Sequence, residues 1–240
     1  MTSNFNDNLK PTRSGFSLIE LLFVIAIIAV LGALSAGILG QARRDAQISA
    51  TESRITQIEA IMQTVMEDFE VRRMPVRLTG DPIQVRNNRR QIIAAMMLAE
   101  YPSADADKAT LGQLDVTIPG LTISETAEML HWQSQAGNQD LDQPGEFLSL
   151  ILSRIDIDGI SALESLGPNV VGDPDGDGLL DIVDAFGDSM ALRIFQEDAS
   201  GLLMPLNPMT TPPPAINEIR FLVTSPNLEE IDPTLGLPAP

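Results

Sequence analysis

Five aspartates in one twelve-residue stretch, "DPDGDGLLDIVD" from Asp173 to Asp184, carry the most legible chemistry in this 240-residue chain. Asp173, Asp175, Asp177, Asp181 and Asp184 fall at positions 1, 3, 5, 9 and 12 of an EF-hand-type loop. Gly178 takes position 6, where the chain must turn sharply, and Leu179 at position 7 would offer its backbone carbonyl. Calcium takes six to eight hard oxygens, and this loop can supply most of them. Asp184 stands where a longer, bidentate glutamate is usual, so it would bind through one oxygen or a water. No helix of EF-hand length is legible before Asp173, and the expectation is an isolated Ca2+ loop. The plainer reading is an acidic surface turn, but like charges this close repel one another without a cation.

A second acid is out of keeping with its surroundings. Glu20 is the one charge between Phe16 and Gln41, near the start of "GFSLIELLFVIAIIAVLGALSAG" (Gly15–Gly37). From Leu21 to Gly40 twenty residues carry no charge, which as a helix span about 30 Å, one hydrocarbon core. A carboxylate deep in such a helix costs about 2.5–3.5 kcal/mol on insertion scales, less near its end, and points to function. A secretory signal peptide has a shorter apolar core followed by a cleavage site, and holds no acid. An ordinary signal anchor fits the length but gains nothing from Glu20.

The elements that would position these groups follow from periodicity. Beyond Gly40, Ile48, Ile55, Ile58, Met62, Val65 and Phe69 form one helical stripe, with Arg43, Arg44, Glu52, Arg54, Glu59 and Glu67 on other faces. No proline interrupts residues 12–74, so the spacing predicts a single helix from Phe16 to Arg73, ended by Met74-Pro75. "NNRRQIIAAMMLAEYP" predicts a second helix burying Ile92, Ile93, Met96, Met97 and Tyr101. "SETAEMLHWQSQAG" predicts a third with Ser124 as N-cap, and "PGEFLSLILSRI" a short apolar fourth. Strands come last, over Met190–Gln196 and Glu218–Ser225, joined by a proline-rich link. The fold class is α+β: a long N-terminal helix carrying a head of short helices and a small C-terminal antiparallel sheet. The division is 1–15 leader, 16–40 membrane half of the helix, 41–73 amphipathic half, 74–225 α+β head, and 226–240 a proline-rich tail without regular structure.

Composition removes whole classes of function. There are no cysteines and one histidine, His131, so thiol chemistry, disulfides and His-rich metal centres are out. His131-Trp132 reads as a packed pair in a helix rather than a site. Of the net charge of −18, residues 1–90 hold eleven Lys/Arg against nine Asp/Glu, and residues 91–240 four against twenty-four. So acidic a second half repels polyphosphates, and no nucleic-acid partner is expected for the head. Six arginines between Arg72 and Arg90 are expected to meet the acidic head of a neighbouring copy. The acids cluster at ligand spacing and few aromatics could line a sugar cleft, so no enzyme is expected.

"SGFSLIELL" resembles the N-terminal signal of type IV pilins and of the pseudopilins of type II secretion systems: a short basic leader, a glycine, a phenylalanine, and a glutamate five residues into the mature chain. The resemblance implies cleavage between Gly15 and Phe16 by the prepilin peptidase, and N-methylation of Phe16. It also implies that Glu20 pairs with the N-terminal amine of a neighbouring subunit, so that an acid unpaired in the monomer is neutralised in a fibre. Lys10 and Arg13 agree with a leader on the cytoplasmic side. The implied protein is a single-pass subunit of the cytoplasmic (inner) membrane, its head in the periplasm or outside the cell, assembling with itself and other pilin-like subunits. Small residues four apart, such as Ala29 with Ala33 and Gly32 with Ala36, would let such helices approach closely. Where many members carry a proline about twenty residues into the mature chain, this one has Gly37.

A second segment, "DAFGDSMALRIF" (Asp184–Phe195), resembles the D-x-W-G-x-P-type stretch that opens the C-terminal sheet of major pseudopilins, with Phe186 for Trp and Ser189 for Pro. It favours a pseudopilin over a pilus subunit, as does the lack of cysteine. The alternative is a membrane-anchored, calcium-stabilised extracytoplasmic binding domain that never polymerises.

Overall fold

The computed structural model describes residues 16–103, 106–114, 116, 118, 121–138, 141–197, 202–209 and 213–229, without the side chains of 34–38, 216 and 229. The predicted leader, including Gly15, and residues 230–240 of the predicted tail lie outside the described residues. The chain divides into two compact units, residues 1–46 and 47–240, to both of which helix α1 (Leu18–Val71) contributes. The predicted α+β class is observed.

In the first unit, α1 starts where Ser17 and Glu20 satisfy each other's backbone: the Ser17 N–H donates to Glu20 Oε2 (2.8 Å) and the Glu20 N–H to Ser17 Oγ (3.2 Å). This reciprocal pair is a capping box, and it uses two of the donors that a helix start leaves unpartnered. The large apolar side chains from Phe16 to Leu31 are all exposed. Among the described residues no helix is long and apolar enough to cross a membrane.

In the second unit the predicted stripe of α1 becomes a core face: Ile58, Met62, Val65 and Phe69 are buried, while Ile48 and Ile55 are half-buried. Helix α2 (Pro82–Glu100) begins five residues earlier than the periodicity suggests, because Asp81 caps it by accepting the Ile83 N–H (2.9 Å) and Pro82 fits the first turn. Its Ile92, Ile93, Met96 and Met97 are buried as expected, and Tyr101 meets Phe69 and Phe221 edge-on. Helix α3 (Ala127–Gln135) is capped by Thr126, not Ser124; the Thr126 Oγ accepts the Met129 N–H (3.3 Å). Helix α4 (Pro144–Arg154) lies where predicted and buries Phe147, Leu148, Ile151 and Leu152.

After α4 the chain makes a hairpin, β1 (Asp156–Ile157) with β2 (Ile160–Ser161), that turns through Asp158-Gly159 at positive φ. A short helix follows, α5 (Ala162–Leu166), capped reciprocally by Ser161 and Glu164. Strands β3 (Val171–Gly172) and β4 (Asp181–Ile182) pair across the acidic loop. The C-terminal sheet is antiparallel and three-stranded: β5 (Ala191–Glu197) is central, β7 (Ile219–Thr224) pairs along one edge, and β6 (Leu203–Pro205) along the other. Strand β6 lies within the proline-rich link between the two expected strands. Pro226–Glu229, expected to lack regular structure, form a short helix, α6.

A half-buried ion pair ties the end of α1 to α2. Glu100, almost wholly buried, accepts from Arg72 Nη1 (2.6 Å) and from Thr126 Oγ (2.7 Å), and its backbone carbonyl accepts from Trp132 Nε1 (2.9 Å). Trp132 is itself buried and stacks on Phe147, so the His131-Trp132 pair is packed as the sequence suggests. Arg72→Met leaves the Glu100 carboxylate buried without its cation and should lower stability by about 2–3 kcal/mol in urea unfolding of the detergent-solubilised chain. Glu100→Gln should cost less, because the guanidinium left behind is a third exposed.

Candidate functional site

The acidic loop bridges β3 and β4, and its shape follows from its sequence. Each of the first three aspartates accepts a backbone N–H just ahead of it: Asp173 Oδ1 from Gly176 (2.7 Å), Asp175 Oδ1 from Asp177 (3.3 Å), Asp177 Oδ1 from Leu179 (2.7 Å). Gly178 sits at φ 95°, a conformation that a side chain would strain, as the sixth position of such a loop requires. These turns bring Asp173, Asp175 and Asp177 together at the surface, with one carboxylate oxygen from each within 4.8 Å of the others.

The other aspartates go elsewhere. Asp181 is fully buried on β4; its Oδ1 accepts the Ser189 hydroxyl (2.8 Å), while Oδ2 is buried with no hydrogen-bond partner among the described residues. Burial pushes its carboxyl above the ordinary value, the Ser189 hydrogen bond opposes this, and Asp175, Asp177 and Asp173 push it further up. Asp184, the expected twelfth ligand, is not brought to that group. Its Oδ1 accepts the N–H groups of Phe186 (2.8 Å), Gly187 (2.9 Å) and Asp188 (3.0 Å). Its Oδ2 accepts from Ser225 Oγ (2.7 Å) and Asn227 Nδ2 (2.8 Å). Both oxygens are thus engaged in joining the turn after β4 to the end of β7. Leu179, expected to give its carbonyl, is half-buried and packs its side chain against the hydrophobic core.

Two acids absent from the expected set stand beside the loop. Asp142 and Glu146, at the start of α4, bring carboxylate oxygens within 4.8 Å of one another and of Asp175. Glu146 is buried; its Oε2 accepts the Gln143 N–H (2.9 Å), and Oε1 is buried without a hydrogen-bond partner among the described residues. Burial raises its carboxyl, the backbone N–H groups of Gln143 and Asp142 lower it, and Asp181 and Asp177 raise it. Gly145 permits the approach of α4 to β4: a Cβ there would come 2.6 Å from Ser189 Oγ and 2.8 Å from Asp181 Oδ1. Its N–H donates to the same Ser189 Oγ (2.8 Å). A cleft of about 270 Å³ between α4 and the loop is lined by Glu146, Gly178, Leu179 and Leu180, among others.

At the other end of the chain, Phe16 and Glu20 are exposed in the first turn of α1 or just before it. Contrary to the expectation of an acid unpaired in the monomer, Glu20 has a partner in the single chain, since its Oε2 closes the capping box. The second carboxylate oxygen leaves capacity for another donor.

The arginines of residues 72–90 divide. Arg72 is used within the fold, whereas Arg86, Arg89 and Arg90 line a cleft of about 660 Å³ together with Glu67, Glu70 and Arg220. There Arg89 Nη2 donates to the Glu70 carbonyl (3.0 Å).

Residues 10–36 match the family described as the prokaryotic N-terminal methylation motif. Comparison with curated proteins and with solved structures finds no match to the chain.

Proposed function

We propose that this chain, which carries a type IV pilin-like prepilin signal, is a structural subunit of a pilin-like fibre, and specifically a pseudopilin of a type II secretion-like system. The observation that carries the reading is the motif over residues 10–36, with Gly15-Phe16 at its junction and Glu20 five residues into the mature chain. Prepilin peptidase would cut between Gly15 and Phe16, and the new Phe16 amine would be methylated. The exposed apolar surface from Phe16 to Leu31 favours lipid first and neighbouring α1 helices later. The subunit would span the cytoplasmic membrane once, with residues 47–240 in the periplasm or outside the cell. Its work would be mechanical, not catalytic.

Because the chain has no cysteine, assembly can be read from a single introduced thiol. Ala29→Cys, expressed with its secretion machinery, should give disulfide-linked dimers in the membrane fraction. A processed but wholly uncross-linked chain would favour the anchored, non-polymerising binding domain instead.

Charge complementarity supports contacts outside the membrane: Arg86, Arg89 and Arg90 face a cleft, and the acidic second half of the chain supplies the opposite sign. Reversing these three arginines to glutamate should cut cross-linking at Ala29→Cys about tenfold while leaving the thermal unfolding of the monomer near wild type. Unchanged cross-linking would remove the arginines from the contact.

A further inference from the structure

We infer that the acidic loop and the start of α4 form one calcium site, in which Glu146 takes the place that the loop's own twelfth residue, Asp184, leaves vacant. The ligands are the carboxylates of Asp173, Asp175, Asp177 and Glu146, with Asp142 at the rim and the buried carboxylate of Asp181 adding negative charge nearby.

Three observations on different elements converge here. The exposed aspartates at positions 1, 3 and 5 already hold one oxygen each within 4.8 Å of the others. Glu146, from a helix that precedes the loop in sequence, reaches the same Asp175. Most telling are Glu146 Oε1 and Asp181 Oδ2, each buried and each without a hydrogen-bond partner among the described residues. A buried carboxylate oxygen with no donor is costly, and a fold that holds two of them beside three more carboxylates is arranged for a positive charge. The effect of neighbouring acids on Glu146 and on Asp181 is repulsive throughout, which a divalent cation reverses.

The donors specify the ion. All are carboxylate oxygens, which select a hard cation. Their number and their mixture of exposed loop and rigid helix suit the six-to-eight-fold, flexible coordination of Ca2+ better than the strict octahedron of Mg2+. Glu146 also supplies the longer carboxylate that Asp184 cannot, and Asp184 is held away by the turn it stabilises.

The test uses the full chain in detergent micelles at pH 7.5, stripped with EDTA and titrated with CaCl2 or MgCl2 by calorimetry, with thermal unfolding in parallel. The wild type should bind one Ca2+ per chain, bind Mg2+ more weakly, and gain roughly 5–10 °C in Tm at a hundredfold excess of Ca2+ over Kd. Glu146→Gln should weaken Ca2+ binding about tenfold or more, yet unfold in EDTA at or above the wild-type Tm, since it removes a buried charge while keeping an acceptor for the Gln143 N–H. Asp175→Asn, at an exposed position, should weaken binding similarly and serves if Glu146→Gln folds poorly. Absence of Ca2+ binding by the wild type at millimolar concentration overturns the site. Wild-type affinity in Glu146→Gln overturns the part given to Glu146.

Discussion

Glu20→Gln should leave processing and membrane insertion intact and reduce assembly by about two orders of magnitude. The substitution separates the capping role of the wild-type carboxylate from the pairing role proposed for it in the fibre. Within the chain, Glu20 Oε2 accepts the Ser17 N–H and closes a capping box, and a glutamine amide oxygen can do the same. What glutamine cannot do is neutralise a neighbour's N-terminal amine in lipid. An unpaired acid at membrane depth costs about 2.5–3.5 kcal/mol, and recovery of that cost on pairing corresponds to roughly a hundredfold in association. Cross-linking through Ala29→Cys measures the loss. Glu20→Gln assembling like the wild type would assign Glu20 to helix capping alone; Glu20→Ala, which removes both roles, should then also start the helix less well, visible as reduced helicity.

Asp184→Ala should lower the unfolding free energy by about 3–5 kcal/mol, the largest loss of stability expected from any single aspartate of the loop. The buried carboxylate accepts three backbone N–H groups and two side-chain donors, and its removal strands those donors between β4 and β7. Burial works to raise the Asp184 carboxyl, but the donors of Ser225, Asn227, Asp188 and Phe186 outweigh it and hold it below the ordinary value. A depressed carboxyl contributes stability that is fully present above its unfolded value, about pH 4, and is lost as the pH falls through the folded one. Urea midpoints should therefore fall below about pH 4 in the wild type, and less steeply in Asp184→Asn. Equal acid sensitivity in both would show that Asp184 does not carry this dependence.

Much of the molecule is legible in its residues, and what is not has specific causes. The stripe from Ile48 to Phe69 and the buried face of α2 follow from periodicity because helical burial repeats at a fixed step. The edges of β5 and β7 follow from runs of apolar and β-branched residues. Helix starts were less readable. Asp81-Pro82 outranks the polar "NNRR" that masks the first turns of α2, and Thr126 competes with Ser124 as a cap of the same chemistry. The hairpin at Asp158-Gly159 carries a strong turn signal but only two residues of strand on either side, too few for alternation to show.

The acidic loop teaches the same lesson about chemistry. Spacing within the loop places Asp173, Asp175 and Asp177 together, because local turns bring them together. It does not show that Asp184, at the twelfth position, is also the first residue of another turn, which takes up both of its carboxylate oxygens. It also gives no sign of Glu146, since a glutamate in the first turn of a helix reads as a cap and indeed serves as one through Oε2. Only the tertiary fold brings a carboxylate oxygen of Glu146 within 4.8 Å of one from Asp175.

The most direct measurement of the central claim is the N-terminus of the membrane-extracted protein, by intact mass and peptide sequencing. The account predicts a chain that begins at Phe16 and carries one added methyl group. A chain beginning at Met1, or at any residue beyond Gly37, would contradict prepilin processing and with it the fibre.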